Sequence, residues 1–210
     1  ITERRAEMMR CRVTLAATRF ARCALSRRAE EKGRAMSFAD LTLERYSCRK
    51  YEQRAVEPEK LDAILEAGRL APTACNNHPV RVLPCTTPEL LEKAAACQPR
   101  FASDGSIFGA PVVLLVCGVD EDAWVRPYDQ MNAAPIDTAI VCDQMMMQAT
   151  ELGLGTCWVC HFKPEIAREQ FDLPEGVYPY HMLTVGYAAD TIASPERRAE
   201  RTIAREDFLL

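Results

Sequence analysis

The stretch from Pro135 to His161, PIDTAIVCDQMMMQATELGLGTCWVCH, decides the fold. Its first part reads as one long helix, from about Pro135 to Leu152. Ile136, Ala139, Ile140 and Met147 recur on one side, and Val141, Cys142, Met145, Met146, Ala149 and Leu152 on another. A helix apolar over that much of its circumference is buried on more than one side. In a chain of 210 residues the simplest covering for the second side is another subunit. Gly153 then reads as the helix C-cap, and Thr156 to Phe162 as a strand. The order is helix, glycine, strand. A dinucleotide fingerprint runs from strand to glycines to helix, so that phosphate meets a helix N-terminus. Gly153 and Gly155 therefore do not form such a loop.

Upstream, Ala110 to Val119 is a continuous apolar run with four Val and two Leu. It reads as a central strand buried on both faces. Ser37 with Asp40 forms a capping-box pattern that opens a helix through about Tyr46. Pro58 starts a second helix, with Leu61, Ile64 and Leu65 on one side, ending near Ala71-Pro72. A strand follows from Val80 to Cys85, and Thr87 caps a third helix with Pro88 in its first turn. Downstream lie a short helix (Pro164 to Phe171) and a strand (His181 to Tyr187). The last 20 residues are charged and end in Phe208-Leu209-Leu210. The pattern is α+β or α/β in one domain.

Composition narrows the function classes. Hydrophobic residues are 48% and charged residues 27%, which excludes a disordered or collagen-like chain. The longest uncharged apolar run, Phe108 to Val119, is 12 residues, too short to span a membrane. The net charge of −4 hides a split: residues 1–35 carry ten Lys/Arg against four Glu, and residues 36–210 carry 16 Lys/Arg against 26 Asp/Glu. An acidic body argues against nucleic-acid binding. The basic segment 1–35 lacks the apolar centre of a secretory signal. It reads as a disordered or non-native extension, with a transit peptide or a membrane-surface helix as alternatives, and 36–210 as the single domain. Ten cysteines are scattered, and Cys117 and Cys142 sit inside apolar runs as small hydrophobes. A secreted disulfide scaffold is shorter and denser in cysteine, so the reading is a reducing, cytoplasmic compartment.

Three segments carry candidate chemistry. In Arg45-Tyr46-Ser47-Cys48-Arg49-Lys50-Tyr51, an extended backbone points Arg45, Ser47 and Arg49 the same way. Two guanidinium forks and a hydroxyl suit a phosphate; the alternative is a solvated basic loop. Ala71-Pro72-Thr73-Ala74-Cys75-Asn76-Asn77-His78-Pro79 is turn-rich and uncharged. A rigid loop of this kind offers hydrogen bonds to the edge of a planar heterocycle, or is an ordinary helix-to-strand connection. The third, Gly153 to His161, contains Cys157-x-x-Cys160. Residues three apart in a strand face opposite sides, and His78, His161 and His181 are isolated in sequence, so no metal or dithiol site is expected. No nucleophile elbow, Walker A loop or zinc-protease helix is present.

Taken in order, these segments resemble the nitroreductase family of FMN-dependent oxidoreductases, over about Met36 to Arg201. RYSCRKY resembles the family's Arg-Arg-Ser-x-Arg start, and LEAGRLAPTACNNHPV its Ala-Pro-Ser-x-x-Asn-x-Gln-Pro-Trp segment. ELGLGTCWVCHF resembles its Gly-Leu-Gly-Thr strand entry, and LTVGYAAD its later Gly-Tyr turn. The resemblance implies an α+β fold, a mixed central sheet flanked by helices, in an intertwined homodimer. FMN is then expected at the subunit interface against the long helix, with the C-terminal tail reaching across the other subunit.

By motif match, the resemblance assigns Arg45 and Ser47 to the FMN phosphate and Arg49 to the ribityl chain and flavin. Tyr46 stands where the family has a second Arg. Pro72, Thr73, Ala74 and Asn76 are expected along the isoalloxazine. His78 replaces a Gln there, as a flavin contact or a proton donor, and Val80 replaces a Trp. The Cys160–His161 backbone is expected at the flavin N5 edge, and Arg198 (or Arg197) at the phosphate. Trp124, Arg126 and Tyr128 lie in a stretch resembling the family's variable lid. There they stack on an aromatic substrate and hold a negative group, or else pack an interface. The implied activity passes reducing equivalents from NADH or NADPH to a small acceptor, such as a nitroaromatic or quinone, in two steps. Flavin N5 is the reacting atom, and no side chain is assigned acid–base work. The alternatives are a flavin-binding or flavin-handling protein without nicotinamide turnover and a Cys157/Cys160 thiol oxidoreductase. The expected partners are a second copy of the chain and the small acceptor, not nucleic acid or membrane.

Overall fold

The computed structural model describes residues 36–210; the readings made for 1–35 lie outside them. Residues 37–191 form one compact unit, and residues 192–210 belong to another.

Helix α1 (Phe38–Glu44) is opened by the capping box: the Ser37 hydroxyl accepts the Asp40 N–H, and the Asp40 carboxylate accepts the Ser37 N–H. Helix α2 (Pro58–Arg69) starts on its proline. A 3-10 turn (Ala74–Asn76) leads into β1 (Val80–Cys85), and Thr87 caps α3 (Pro88–Cys97). A short hairpin, β2 (Ala102–Ser103) and β3 (Ser106–Ile107), precedes the central strand β4 (Val112–Val119). Then come α4 (Ala134–Glu151), β5 (Gly155–Val159), α5 (Pro164–Gln170) and β6 (Val177–Gly186). The C-terminal unit carries α6 (Pro195–Ala199) and α7 (Arg205–Phe208).

The main sheet has the order β1-β4-β6-β5, and its three ladders are antiparallel. A parallel contact comes from the isolated Ser47–Thr156 bridge. Strand β4 alternates its side chains cleanly. Val112, Leu114 and Val116 meet Ile64 of α2 and Val141 and Met145 of α4 on one face. Val113, Leu115 and Cys117 meet Ala94 and Cys97 of α3 and Ala167 of α5 on the other. The sheet is thus sandwiched between helices, and a strand buried on both faces needs an apolar residue at every position.

Two boundaries differ from the sequence reading. Strand β6 begins at Val177 rather than His181, pairing Pro179 with Cys117 next to a bulge at Tyr180 within β6. Pro179 hides this part of the strand, because proline is tolerated in a sheet only at edges and bulges. Strand β5 ends at Val159, where the chain turns and the Phe162 N–H donates to the Cys160 carbonyl.

Helix α4 packs tightly on α2 because Gly68 lets it: a Cβ there would stand 2.7 Å from Met145 Cγ. It ends at Gly153, whose φ of +76° suits the left-handed C-cap. One of its two apolar sides, Val141, Cys142, Met145, Met146 and Ala149, is buried within the chain. On the other side Ile136 is 49% exposed, and Ala139, Ile140 and Met147 are only half-buried. No helix among the described residues is long and apolar enough to cross a membrane.

Candidate functional site

Residues 45–52 are stitched into the sheet at the start of β5. The Cys48 N–H donates to the Thr156 carbonyl, the Glu52 N–H to Tyr187, and the Ala189 N–H to Lys50, each at 2.8 Å. One carboxylate completes the anchor. Asp190 accepts the Tyr46 hydroxyl at 2.8 Å, the Cys48 thiol at 3.1 Å and the Arg49 N–H at 2.9 Å. Burial pushes its pKa up, but these hydrogen bonds prevail and hold the carboxyl below its ordinary range. Burial pushes the Cys48 thiol up to about 11, so the group touching Asp190 is a neutral donor.

The alternation expected of this segment is present. Tyr46 and Cys48 turn together toward Asp190. Ser47 and Arg49 share the other side: the Arg49 guanidinium donates to the Ser47 carbonyl at 3.2 Å, and both residues act on the Cys157 thiol. Burial raises that thiol, while the Arg49 charge and the Ser47 hydrogen bond oppose the rise. Arg45 and Ser47 are half-buried and Arg49 is exposed. The Tyr46 hydroxyl is engaged by Asp190, so this side chain faces away from the Arg49 set.

At the entry to β1, residues 73–78 form a tight loop. Cys75, Asn76 and His78 all hold positive φ, at 51°, 58° and 51°, a region costly for any residue with a Cβ. The Thr73 hydroxyl accepts the His78 N–H at 3.0 Å, and the Thr73 carbonyl accepts the Asn76 N–H. The Ala74 N–H donates at 2.9 Å to Oδ1 of Asp137, in the first turn of α4. Asp137 is 1% exposed, and its second oxygen, Oδ2, has no hydrogen-bond partner among the described residues. A buried carboxylate oxygen without a partner is expensive, so this atom is an unspent acceptor directly behind the 73–78 loop. Thr73 and His78 also line a cleft of about 510 Å³ with Leu65, Gly68, Arg81 and Val141.

The third segment ends at the other end of β5. Cys157 is buried and Cys160 exposed, so the C-x-x-C pair faces two ways. The Cys160 thiol lies 3.6 Å from Nδ1 of His181. His161 is exposed, hydrogen-bonds Gln98 and tilts against the Phe101 ring. Sheet order separates these groups from the 73–78 loop: β5 and β1 are opposite edges, roughly 14 Å apart at strand spacing. Within one chain the Arg45–Arg49 set and Cys160–His161 share the β5 edge, while Pro72 to His78 sit at the β1 edge.

The 120–133 loop neighbours the β1 edge. The Asn77 side chain donates to the Asp122 carbonyl, and Arg81 pairs with the Asp122 carboxylate. Trp124 is half-buried, and Tyr128 is 93% exposed. Arg126 forks onto Asp129 at 2.6 and 2.7 Å, so its guanidinium is already engaged by an internal carboxylate. Arg198 lies on α6 of the C-terminal unit, its N–H donating to the Ser194 carbonyl. Among the described residues no group of three or more His, Cys, Asp or Glu converges in a metal-binding arrangement.

Three residues in this geometry escape a motif reading. Asp190 closes the string LTVGYAAD, but nothing in that string shows which segment it anchors. Asp137 had a visible signal, a carboxylate three and four residues before Ile140 and Val141 on an apolar helix. His181 opens no motif, and its contact with Cys160 depends on strand register.

The family model for the nitroreductase family matches residues 42–100 and 90–187. A putative NADH dehydrogenase/NAD(P)H nitroreductase of Methanothermobacter thermautotrophicus is 31% identical over 150 residues, covering 70% of this chain and 74% of that protein. An FMN reductase [NAD(P)H] of Bacillus subtilis is 28% identical over 182 residues, covering 78% and 71%. The crystal structure of a nitroreductase family protein from Clostridium difficile superimposes with a TM-score of 0.77 at 40% identity, covering 83% of this chain and 98% of that one.

Proposed function

Since the chain belongs to the nitroreductase family, we propose that it is an FMN-dependent oxidoreductase. It passes reducing equivalents from NADH or NADPH to a small acceptor, such as a nitroaromatic or a quinone, in two successive steps at one pocket. The observation that carries this reading is the unpartnered Oδ2 of Asp137 beside the strained 73–78 loop, together with the Arg45–Ser47–Arg49 set on the far edge. A flavin has a ring edge that donates an N–H and a phosphate that needs guanidinium and hydroxyl donors. Both kinds of complementary group are present in this chain.

Bound FMN supplies the electron-carrying ring. The protein's residues position it. Arg45 and Ser47 would hold the phosphate, and Arg49 would reach toward the ribityl chain. Asp190 keeps the segment extended through Tyr46, Cys48 and the Arg49 N–H. Pro72, Thr73, Ala74, Asn76 and His78 present a rigid polar wall, with Asp137 behind it. The Cys160–His161 backbone borders the reacting edge, where fixed N–H dipoles stabilise added negative charge. Trp124 and Tyr128 cover the acceptor. No acid–base side chain is required.

The working unit of this reading is a homodimer. What supports it is the half-covered stripe Ile136, Ala139, Ile140 and Met147 on α4, and the placement of the two motif sets on opposite edges of one sheet. A second copy that covers the stripe brings its β1-edge loop to the first copy's β5 edge. Eight free cysteines among the described residues fit a reducing, cytoplasmic setting. A second reading, flavin binding without nicotinamide turnover, is favoured by one observation: Tyr46, in place of a cation, spends its hydroxyl on Asp190.

The visible spectrum of the protein with FMN, recorded without air, tests both. The proposal expects a bound-flavin band that NADH or NADPH bleaches and a quinone restores. A bound band that neither nicotinamide changes selects the second reading, and failure to bind FMN overturns both.

A further inference from the structure

One ammonium joins the two segments that flank residues 45–52. Lys60, in the first turn of α2, donates from Nζ to the Tyr187 hydroxyl at 2.8 Å and to the Leu152 carbonyl at 3.1 Å. Tyr187 begins a strap, residues 187–190, that runs beside residues 45–52. The Glu52 N–H donates to the Tyr187 carbonyl, Tyr51 bridges Ala188, the Ala189 N–H donates to Lys50, and Asp190 accepts the Arg49 N–H. Leu152 leads into β5, where the Thr156 carbonyl accepts the Cys48 N–H. The three segments meet at Gly155 in close contact: a Cβ there would stand 3.0 Å from the Cβ atoms of both Cys48 and Ala188. The direction of the Tyr187 hydroxyl is fixed. An ammonium only donates and a carboxylate only accepts, so the hydroxyl accepts from Lys60 and donates to Glu57 Oε2 at 2.6 Å. That hydrogen bond is the chief cause that draws the Glu57 carboxyl down to about 2. Arg54 donates to the other Glu57 oxygen at 2.8 Å and lies 3.7 Å over the Tyr187 ring.

Residues 45–52 are hydrogen-bonded to the strap on one side and to β5 on the other. Displacing either neighbour therefore displaces them. Donors already held in place bind an anion without a further cost of alignment. We propose that Lys60 is a positioning residue for phosphate recognition. Through Tyr187 and Leu152 it keeps Arg45, Ser47 and Arg49 at the spacing that selects FMN over riboflavin, the same molecule without its phosphate. Tyr187 is its coupled partner. In this role Lys60 touches neither flavin nor acceptor, because its ammonium is engaged within the chain. The inference rests on the flavin reading and adds to it the origin of the preference for a phosphorylated flavin.

The full chain is titrated with FMN and, separately, with riboflavin, and flavin fluorescence gives both dissociation constants. Lys60→Met keeps an unbranched side chain without the ammonium. It is expected to weaken FMN about tenfold, the scale of one hydrogen bond to a charged group, and to leave riboflavin unchanged. Tyr187→Phe is the milder variant: it keeps the ring under Arg54, removes only the hydroxyl, and is expected to shift FMN in the same direction. The double variant adds little to Lys60→Met, because the two residues act through one contact. Parallel weakening of both flavins in either folded variant reports a loosened fold and overturns the proposal. An FMN affinity that neither variant changes overturns it too, and leaves the flavin reading standing. An unmodified protein that binds neither flavin overturns the flavin reading and this inference with it.

Discussion

At the β5 edge, residues 45–52 are held by three backbone hydrogen bonds and by Asp190, a carboxylate whose two oxygens are both engaged. At the β1 edge, residues 73–78 carry three non-glycine residues at positive φ and rest on Asp137, a carboxylate with one oxygen left over. The first edge has its anchoring carboxylate fully engaged within one chain, although Thr156 Oγ1 and Trp158 Nε1 of β5 are buried without a partner among the described residues. The second stores strain and an unspent acceptor, and such groups persist where a ligand or partner completes them. The half-covered stripe of α4 adjoins the second edge, because Asp137 sits one residue after Ile136.

The largest expected effect breaks the union of the two edges. Ile136→Asp with Ile140→Asp places charge on the stripe. The variant is expected to run as a monomer in analytical ultracentrifugation and to lose FMN binding altogether, although each chain still folds. The next effect falls on the anchored edge alone. Asp190→Ala strips the Tyr46 hydroxyl, the Cys48 thiol and the Arg49 N–H of one shared partner. It should cost about 3 kcal/mol in urea unfolding, the scale for orphaning part-buried donors. Tyr46→Phe removes one of those donors instead of the acceptor and should cost about 1 kcal/mol.

On the strained edge the effect is smaller and of another kind. Asp137→Asn keeps an oxygen for the Ala74 N–H and removes the charge. Stability should change little, while the midpoint potential of bound FMN rises by about 30 mV, a tenfold change for a two-electron couple, because electron uptake no longer faces a buried anion. An unchanged potential would place Asp137 away from the ring. The smallest effect is expected in the 120–133 loop. Arg126→Ala breaks an exposed pair with Asp129, and the thermal unfolding midpoint should stay where it is.

Much of this fold is legible in residue order, because its strongest signals are local. The Ser37–Asp40 box, Pro58, Thr87-Pro88 and the apolar run 112–119 each fix a boundary by neighbours within a turn of helix or a length of strand. The start of β6 is not legible in that way, since Pro179 is accommodated beside a bulge at Tyr180 that only the pairing with β4 reveals. The alternation that turns Tyr46 and Cys48 to one side and Ser47 and Arg49 to the other follows from an extended backbone and is present. The roles of Asp190, Asp137 and His181 arise from contacts across the sheet and could be read only after register was known. The pairing of Arg126 with Asp129 is three residues long, yet the sequence reading weighed Arg126 for a substrate and not for its neighbour.

Subunit mixing tests most directly the claim that one flavin site uses the β5 edge of one chain and the β1 edge of another. Arg49→Ala disables the first edge and Asn76→Ala the second, and each variant alone should bind FMN poorly in a fluorescence titration. Co-refolded together, they form mixed dimers with one intact site and one doubly altered site, so tight FMN binding is predicted to return. If the mixture binds no better than either variant alone, the site lies within a single chain and the account is wrong.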